Sequence, residues 1–156
     1  MTELDPISRR ILQLLIEDGR ASYQAIADEV GLSRPAVMER VKRLEEGGYI
    51  LGYTARVNRA RVGFPITAFV AVRYPGNEVD GAATAVQSLE RNPSVLECHH
   101  VAGEDCYILK VAAPSLEALE RILRSLRDPG LSASTRTTIV LSSVFEKASV
   151  VPAEMD

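Results

Sequence analysis

A chain of 156 residues with 46% hydrophobic content can build one or two small packed domains. It lacks the roughly 18 consecutive apolar residues of a membrane helix, and its acidic start, Met1-Thr2-Glu3-Leu4-Asp5, does not read as a secretory signal. No membrane is therefore expected, and a cytoplasmic location is. The formal net charge of -3 looks unsuited to a nucleic-acid binder until it is divided by region.

The first predicted helix opens at Asp5-Pro6, a capping residue followed by a proline whose missing N–H costs nothing at that position, and it puts Ile7, Ile11, Leu14 and Leu15 on one face. Gly19 closes it. A second helix starts at Ser22, turns Ile26, Ala27 and Val30 inward and stops at Gly31, a residue suited to the left-handed helix end. Ser33 then caps a third helix over about Arg34 to Glu46. So short a joint, Gly31-Leu32-Ser33, is the mark of a helix-turn-helix, whose second member usually enters the major groove of double-stranded DNA.

On the third helix Val37, Val41 and Leu44 recur at helical spacing and are expected to pack on the first two. The other side shows Pro35, Met38, Glu39, Lys42 and Arg43, with Arg34 and Arg40 on the flanks and Ser33 at the start; these eight residues are the candidate DNA contacts. Arginine and lysine there can reach phosphates or the acceptor edge of guanine. Between Arg34 and Arg61 seven basic side chains stand against three acidic ones, whereas from Val62 onward eight stand against twelve. The positive charge is concentrated where phosphate would be met, and its modest size points to binding by several copies together.

After Gly47-Gly48, Leu51, Tyr53, Ala55 and Val57 alternate with polar residues and glycine, the period of a half-buried strand. Arg59 to Pro65 reads as a turn-rich boundary. Strands are then expected over Ile66 to Tyr74, Val95 to Ala102, Cys106 to Ala112 and Thr135 to Val144, and helices over Asp80 to Arg91 and from Ser115 through Leu126. Two β-α-β units in succession imply a ferredoxin-like βαββαβ sandwich with one sheet face left for a partner; Phe69, Val101, Tyr107 and Val140 are candidates for core or interface. The fold class is α+β: an N-terminal winged helix-turn-helix (1–50), a β-strand linker (51–65), a ferredoxin-like effector-binding and oligomerisation domain (66–144) and a C-terminal tail (145–156).

Cys98 and Cys106 flank a predicted hairpin turn at Gly103-Glu104 that sets Cys106 opposite Val101 and Cys98 opposite Leu109, so reduced, packed thiols are expected. His99 and His100 lie near Asp105 and Cys106, but adjacent strand residues point to opposite faces and do not easily share an ion. With no HExxH, P-loop, GxSxG or paired CxxC, neither an enzyme nor a metal or cofactor site is expected.

Asp18-Gly19-Arg20, Ile26-Ala27, Val30-Gly31-Leu32-Ser33, Val37, Arg40-Val41, Arg43-Leu44-Glu45 and Gly48-Tyr49-Ile50-Leu51-Gly52-Tyr53 resemble the Lrp/AsnC (feast/famine) transcriptional regulators. Gly63, Ala68-Phe69-Val70, Cys98, Val101, Gly103 and Thr135-Arg136-Thr137 extend the resemblance over nearly the whole chain. It implies a sequence-specific DNA-binding regulator, a homodimer assembling further to tetramers or octamers, and an amino acid or related metabolite as effector. A Gly-containing turn with exposed N–H groups beside Glu104 and Asp105 offers partners for both ends of an amino acid. Family pockets lie between dimers, at the turn between the second and third strands and the last strand's threonines; on that likeness Val101, Ala102, Gly103, Asp105, Thr135 and Thr137 are the candidate effector contacts. The chain departs from the family's Tyr-Asp-Tyr after the glycine, reading Gly103-Glu104-Asp105-Cys106-Tyr107. An effector-independent architectural DNA organiser is the alternative.

Overall fold

The computed structural model describes residues 4–74, 89–126, 134–147, 149–150 and 152. The chain divides into two compact units, residues 1–56 with 145–156, and residues 57–144.

In the first unit, α1 (Pro6–Glu17), α2 (Tyr23–Val30) and α3 (Arg34–Glu46) form the three-helix head. Each start follows the local chemistry. Asp5 accepts the free N–H groups of Ile7 and Ser8, Ser22 that of Ala25 and Ser33 that of Ala36, while Pro6 and Pro35 occupy first-turn positions that need no N–H. Gly31 ends α2 at φ +69°, a conformation that a side chain at this position would strain. Ile11, Ile26, Ala27, Val37, Val41 and Leu44 make a closed core, with Ile7, Leu14, Leu15 and Val30 against its edge. The joint Gly31-Leu32-Ser33 therefore holds α3 against α2 through apolar contact on one side only, and the other side of α3 is left to solvent.

The strand expected over residues 51–58 does not form: those residues carry no ladder, and Leu51 is 96% exposed. A strand exists only through hydrogen bonds to a neighbour, and alternation in sequence does not supply one within a single copy. At the start of the tail, the Arg56 guanidinium donates to the Glu146 carbonyl (2.7 Å).

The second unit is a four-stranded antiparallel sheet in the order β2-β3-β1-β4, from β1 (Ile66–Arg73), β2 (Val95–His100), β3 (Tyr107–Ala113) and β4 (Ser134–Ile139). This is the strand order of the ferredoxin-like sandwich. Helix α4 (Leu116–Ser125), capped by Ser115, covers one face. Ala68, Val70, Val72, Leu109 and Val111 point to that face and bury against Leu119 and Ile122; complete burial of each large side chain stabilises the unit by about 1.5–3 kcal/mol. The helix expected over Asp80 to Arg91 falls mostly outside the described residues, of which Leu89 and Glu90 are helical.

Register settles the faces. Phe69 lies opposite Lys110 and Thr138, and Ala71 opposite Ile108 and Arg136, all on the face turned away from α4, where Phe69 is exposed. Tyr107 pairs with Val72 and belongs to the helix-covered side, edge-on to Tyr74. Cys98 pairs with Leu109, and the Val101 N–H donates to the Cys106 carbonyl, as the hairpin reading requires. The last strand is shorter than expected and stops at Ile139. Val140 makes one more bond, to the carbonyl of Thr67, and Leu141, which the register would set opposite Ile66, stands outside the ladder and exposed.

Candidate nucleic-acid interface and candidate effector turn

The exposed face of α3 carries Arg34, Pro35, Met38, Glu39, Lys42 and Arg43. Its basic groups are held locally. Arg43 Nε donates to Glu39 (3.1 Å) and Lys42 stands 3.5 Å from Glu46, both i,i+4 pairs with strongly exposed side chains. Such pairs contribute only about 0.3–0.5 kcal/mol and are readily exchanged for a phosphate or a base edge. Ser33 is committed to the cap of α3. A shallow cleft of about 400 Å³ runs beside this face, lined by Tyr23, Pro35, Met38, Glu39, Lys42 and Glu45.

Arg40 is placed differently from the other candidate contacts. Its guanidinium turns to the opposite flank of α3 and donates to both carboxylate oxygens of Asp5 (2.9 and 2.8 Å) and to the Ser8 hydroxyl (2.9 Å). Asp5 thus caps α1 and grips α3 at once. Burial alone pushes the Asp5 carboxyl up, but the Ser8 hydroxyl, the Ser8 N–H and the Arg40 charge outweigh it and hold the group below the ordinary carboxylate range. Sequence reading missed this role because the two residues are far apart in the chain and neither motif nor periodicity links them.

At the far end of α3, Tyr53 donates to the Glu45 carboxylate (3.0 Å). Burial, then the Glu45 hydrogen bond and charge, push its phenol up to about 12.

In the second unit the candidate effector residues gather at one end of the sheet. The turn Val101–Asp105 lies beside the start of β4, since the Cys106 N–H donates to the Val72 carbonyl and Val72 pairs with Thr135. Gly103 sits at φ +152°, with open space where a side chain would project. The structure does not bring all six together. Thr135 and Thr137 lie opposite Val72 and Val70, on the helix-covered face, whereas Asp105 accepts a hydrogen bond from Arg136 (2.8 Å), which lies between the threonines and points the other way. Arg136 is a residue of this site that sequence reading did not single out as a contact; the alternation of β4 alone could not find it without the turn beside it.

The histidines separate as strand geometry requires. His99 meets Glu97, which also takes Lys110, and His100 packs on the Tyr107 ring. The thiols are unpaired, but Cys98 on edge strand β2 is exposed rather than packed as expected, and Cys106 is half-buried; partial desolvation still pushes the Cys98 thiol up, the opposite of what an activated nucleophile needs. Among the described residues no three His, Cys, Asp or Glu side chains are grouped to hold a metal ion, and no helix is long and apolar enough to cross a membrane.

A three-helix helix-turn-helix head and a separate ferredoxin-like unit are the architecture of a DNA-binding regulator. Comparison with known proteins gives the same result. The winged helix-turn-helix DNA-binding family model matches residues 4–50, and that of the Lrp/AsnC ligand binding domain matches residues 67–150. The chain is 37% identical over 150 residues to the HTH-type transcriptional regulator LrpA of Mycobacterium tuberculosis, covering 96% of this chain and 97% of that one. It is 38% identical over 154 residues to the leucine-responsive regulatory protein of Escherichia coli, covering 96% and 92%. Among solved structures, the M. tuberculosis feast or famine regulatory protein complexed with L-methionine superposes with a TM-score of 0.86 at 38% identity, over 96% of this chain and 100% of that one. A Neisseria meningitidis regulator in complex with L-Met gives 0.86 at 26% identity, over 95% and 96%. The chain belongs to the Lrp/AsnC family of DNA-binding transcriptional regulators.

Proposed function

We propose that this regulator reads its operator through the exposed face of α3 and adjusts its assembly or DNA affinity to an amino acid bound near the Gly103 turn. The observation that carries the first part is the exposed basic face itself: Arg34 is exposed, and Lys42 and Arg43 are engaged in surface ion pairs. Pro35, Met38 and Glu39 complete the reading face, Ser33 fixes its start and Arg40 fixes its attitude. The effector reading rests on the L-methionine complexes of two similar structures and on the site's chemistry. Val101, Ala102 and Gly103 would supply backbone groups and Asp105 an acceptor for an ammonium, with the hydroxyls of Thr135 and Thr137 on the other face of β4 reached separately.

Residues 1–50 serve as the head, 51–65 as the connector, 66–144 as the effector-binding and oligomerisation domain and 145–156 as the tail. The uncovered sheet face around Phe69, and the unpaired alternation of Leu51, Tyr53 and Val57, support a homodimer that assembles further to tetramers or octamers. The protein works in the cytoplasm, as a binder rather than an enzyme.

One observation favours the effector-independent organiser: Arg136 already pairs with Asp105. Light scattering of the purified protein with and without each amino acid, followed by footprinting upstream of its own gene, separates the two. A change of mass or footprint with one amino acid supports the gated regulator; a constant assembly and footprint with all of them overturns the effector part.

A further inference from the structure

We propose that Met38 reads thymine through the base's 5-methyl group; this deepens, and rests on, the DNA-reading role of α3. Met38 is 45% exposed and takes no part in the head's core, which closes through Val37, Val41 and Leu44 on the other side of the helix. A scattered surface hydrophobe needs no explanation, but this one has a particular neighbourhood. It lies in the N-terminal half of α3, the part of a recognition helix that meets base edges. Beside it is Pro35, and together they form an apolar step in the cleft shared with Tyr23.

The nearby charges leave that step available. Glu39 is turned to Arg43 and Lys42 to Glu46, so these neighbouring charges lie along the helix and do not cover the thioether. In the major groove, thymine alone presents an apolar group; every other edge offers donors or acceptors that a methionine would strip of water without replacing. The chemistry of Met38 therefore selects a 5-methyl group and penalises the alternatives.

The test uses the full-length chain and a duplex selected by it from a random library. Each thymine of that duplex is replaced in turn by uracil, which removes the methyl and leaves base pairing unchanged. Loss of one buried methyl is expected to weaken binding about fourfold at one or two positions and nowhere else. Met38→Ala should weaken the parent duplex by a similar factor and be indifferent to uracil at those positions, and Met38→Leu should keep the sensitivity. If the selected duplex is preferred over random DNA yet no uracil replacement matters, or if Met38→Ala keeps the wild-type uracil response, the assignment to Met38 is wrong while the DNA-reading role stands. If selection enriches no sequence, the DNA-reading role falls with it.

Discussion

Replacing Asp5 and Arg40 singly and together distinguishes a strut within the head from a DNA contact. The Asp5 carboxylate accepts the N–H groups of Ile7 and Ser8, and loss of such a cap costs about 1 kcal/mol. The Arg40 pair adds less, because the two side chains keep 31% and 49% of their exposure and the attraction is screened; about 0.5–1 kcal/mol is the expected contribution. Arg40→Ala should thus destabilise the protein by about 0.5–1 kcal/mol and Asp5→Ala by about 1.5–2, with the double variant close to Asp5→Ala alone, which is a coupling of about 0.5–1 kcal/mol. Thermal unfolding at one fixed protein concentration reads this as about 2–4 °C per kcal/mol for a chain of this size. The Asp5 carboxyl is depressed in the folded state, so its contribution is fully present above the unfolded carboxylate value and is lost as pH falls through the lower folded value. The coupling should therefore vanish in acid and shrink in high salt. Strictly additive single variants at low salt would refute the strut, as would an Arg40→Ala protein of unchanged stability that had lost preference at a single base pair.

Three further outcomes are expected. Arg43→Ala should lose about 1–3 kcal/mol of discrimination at one operator position, measured by binding to single-base variants of the site; an equal loss on all sequences would assign Arg43 to phosphate instead. In an ultraviolet pH titration of the phenols, Tyr53 should ionise only near pH 12, and Glu45→Gln should bring it down. The sign is that of an acid favoured neutral: what the Tyr53–Glu45 bond contributes is intact below the ordinary phenol value and disappears as pH rises through 12. Leu109→Ala, at a fully buried position of β3, should cost about 2–5 kcal/mol by chemical denaturation, whereas Leu141→Ala, 98% exposed, should be nearly neutral in an isolated copy.

The parts of this structure legible from the sequence are those whose causes are local. Asp5-Pro6, Ser22 and Ser33 announce helix starts because the capping hydrogen bonds span only two or three residues, and Gly31 announces a stop because one backbone conformation decides it. The register of Cys98 with Leu109 follows from counting outward from one turn. The misses have long-range causes. A strand over residues 51–58 requires a paired neighbour, which the described residues do not bond to it, and β4 leaves its ladder with β1 after Ile139. Arg40 meets Asp5, and Arg136 meets Asp105, only after the fold has brought separate elements together, so a residue read as a DNA contact is also bonded to Asp5 at the start of α1, and an arginine of β4 not singled out from the sequence bonds the turn beside it.

The most direct test of the central claim is competition: a labelled duplex selected by the full-length protein is displaced by the same unlabelled duplex or by random DNA of equal length, at one stated salt concentration. A sequence-reading α3 predicts that the selected duplex competes about a thousandfold or more better than random DNA, and that charge-preserving changes away from α3 leave this ratio intact. Equal competition by the two, with affinity falling steeply in salt for both alike, would contradict a specific regulator and leave a protein that holds DNA by its phosphates alone.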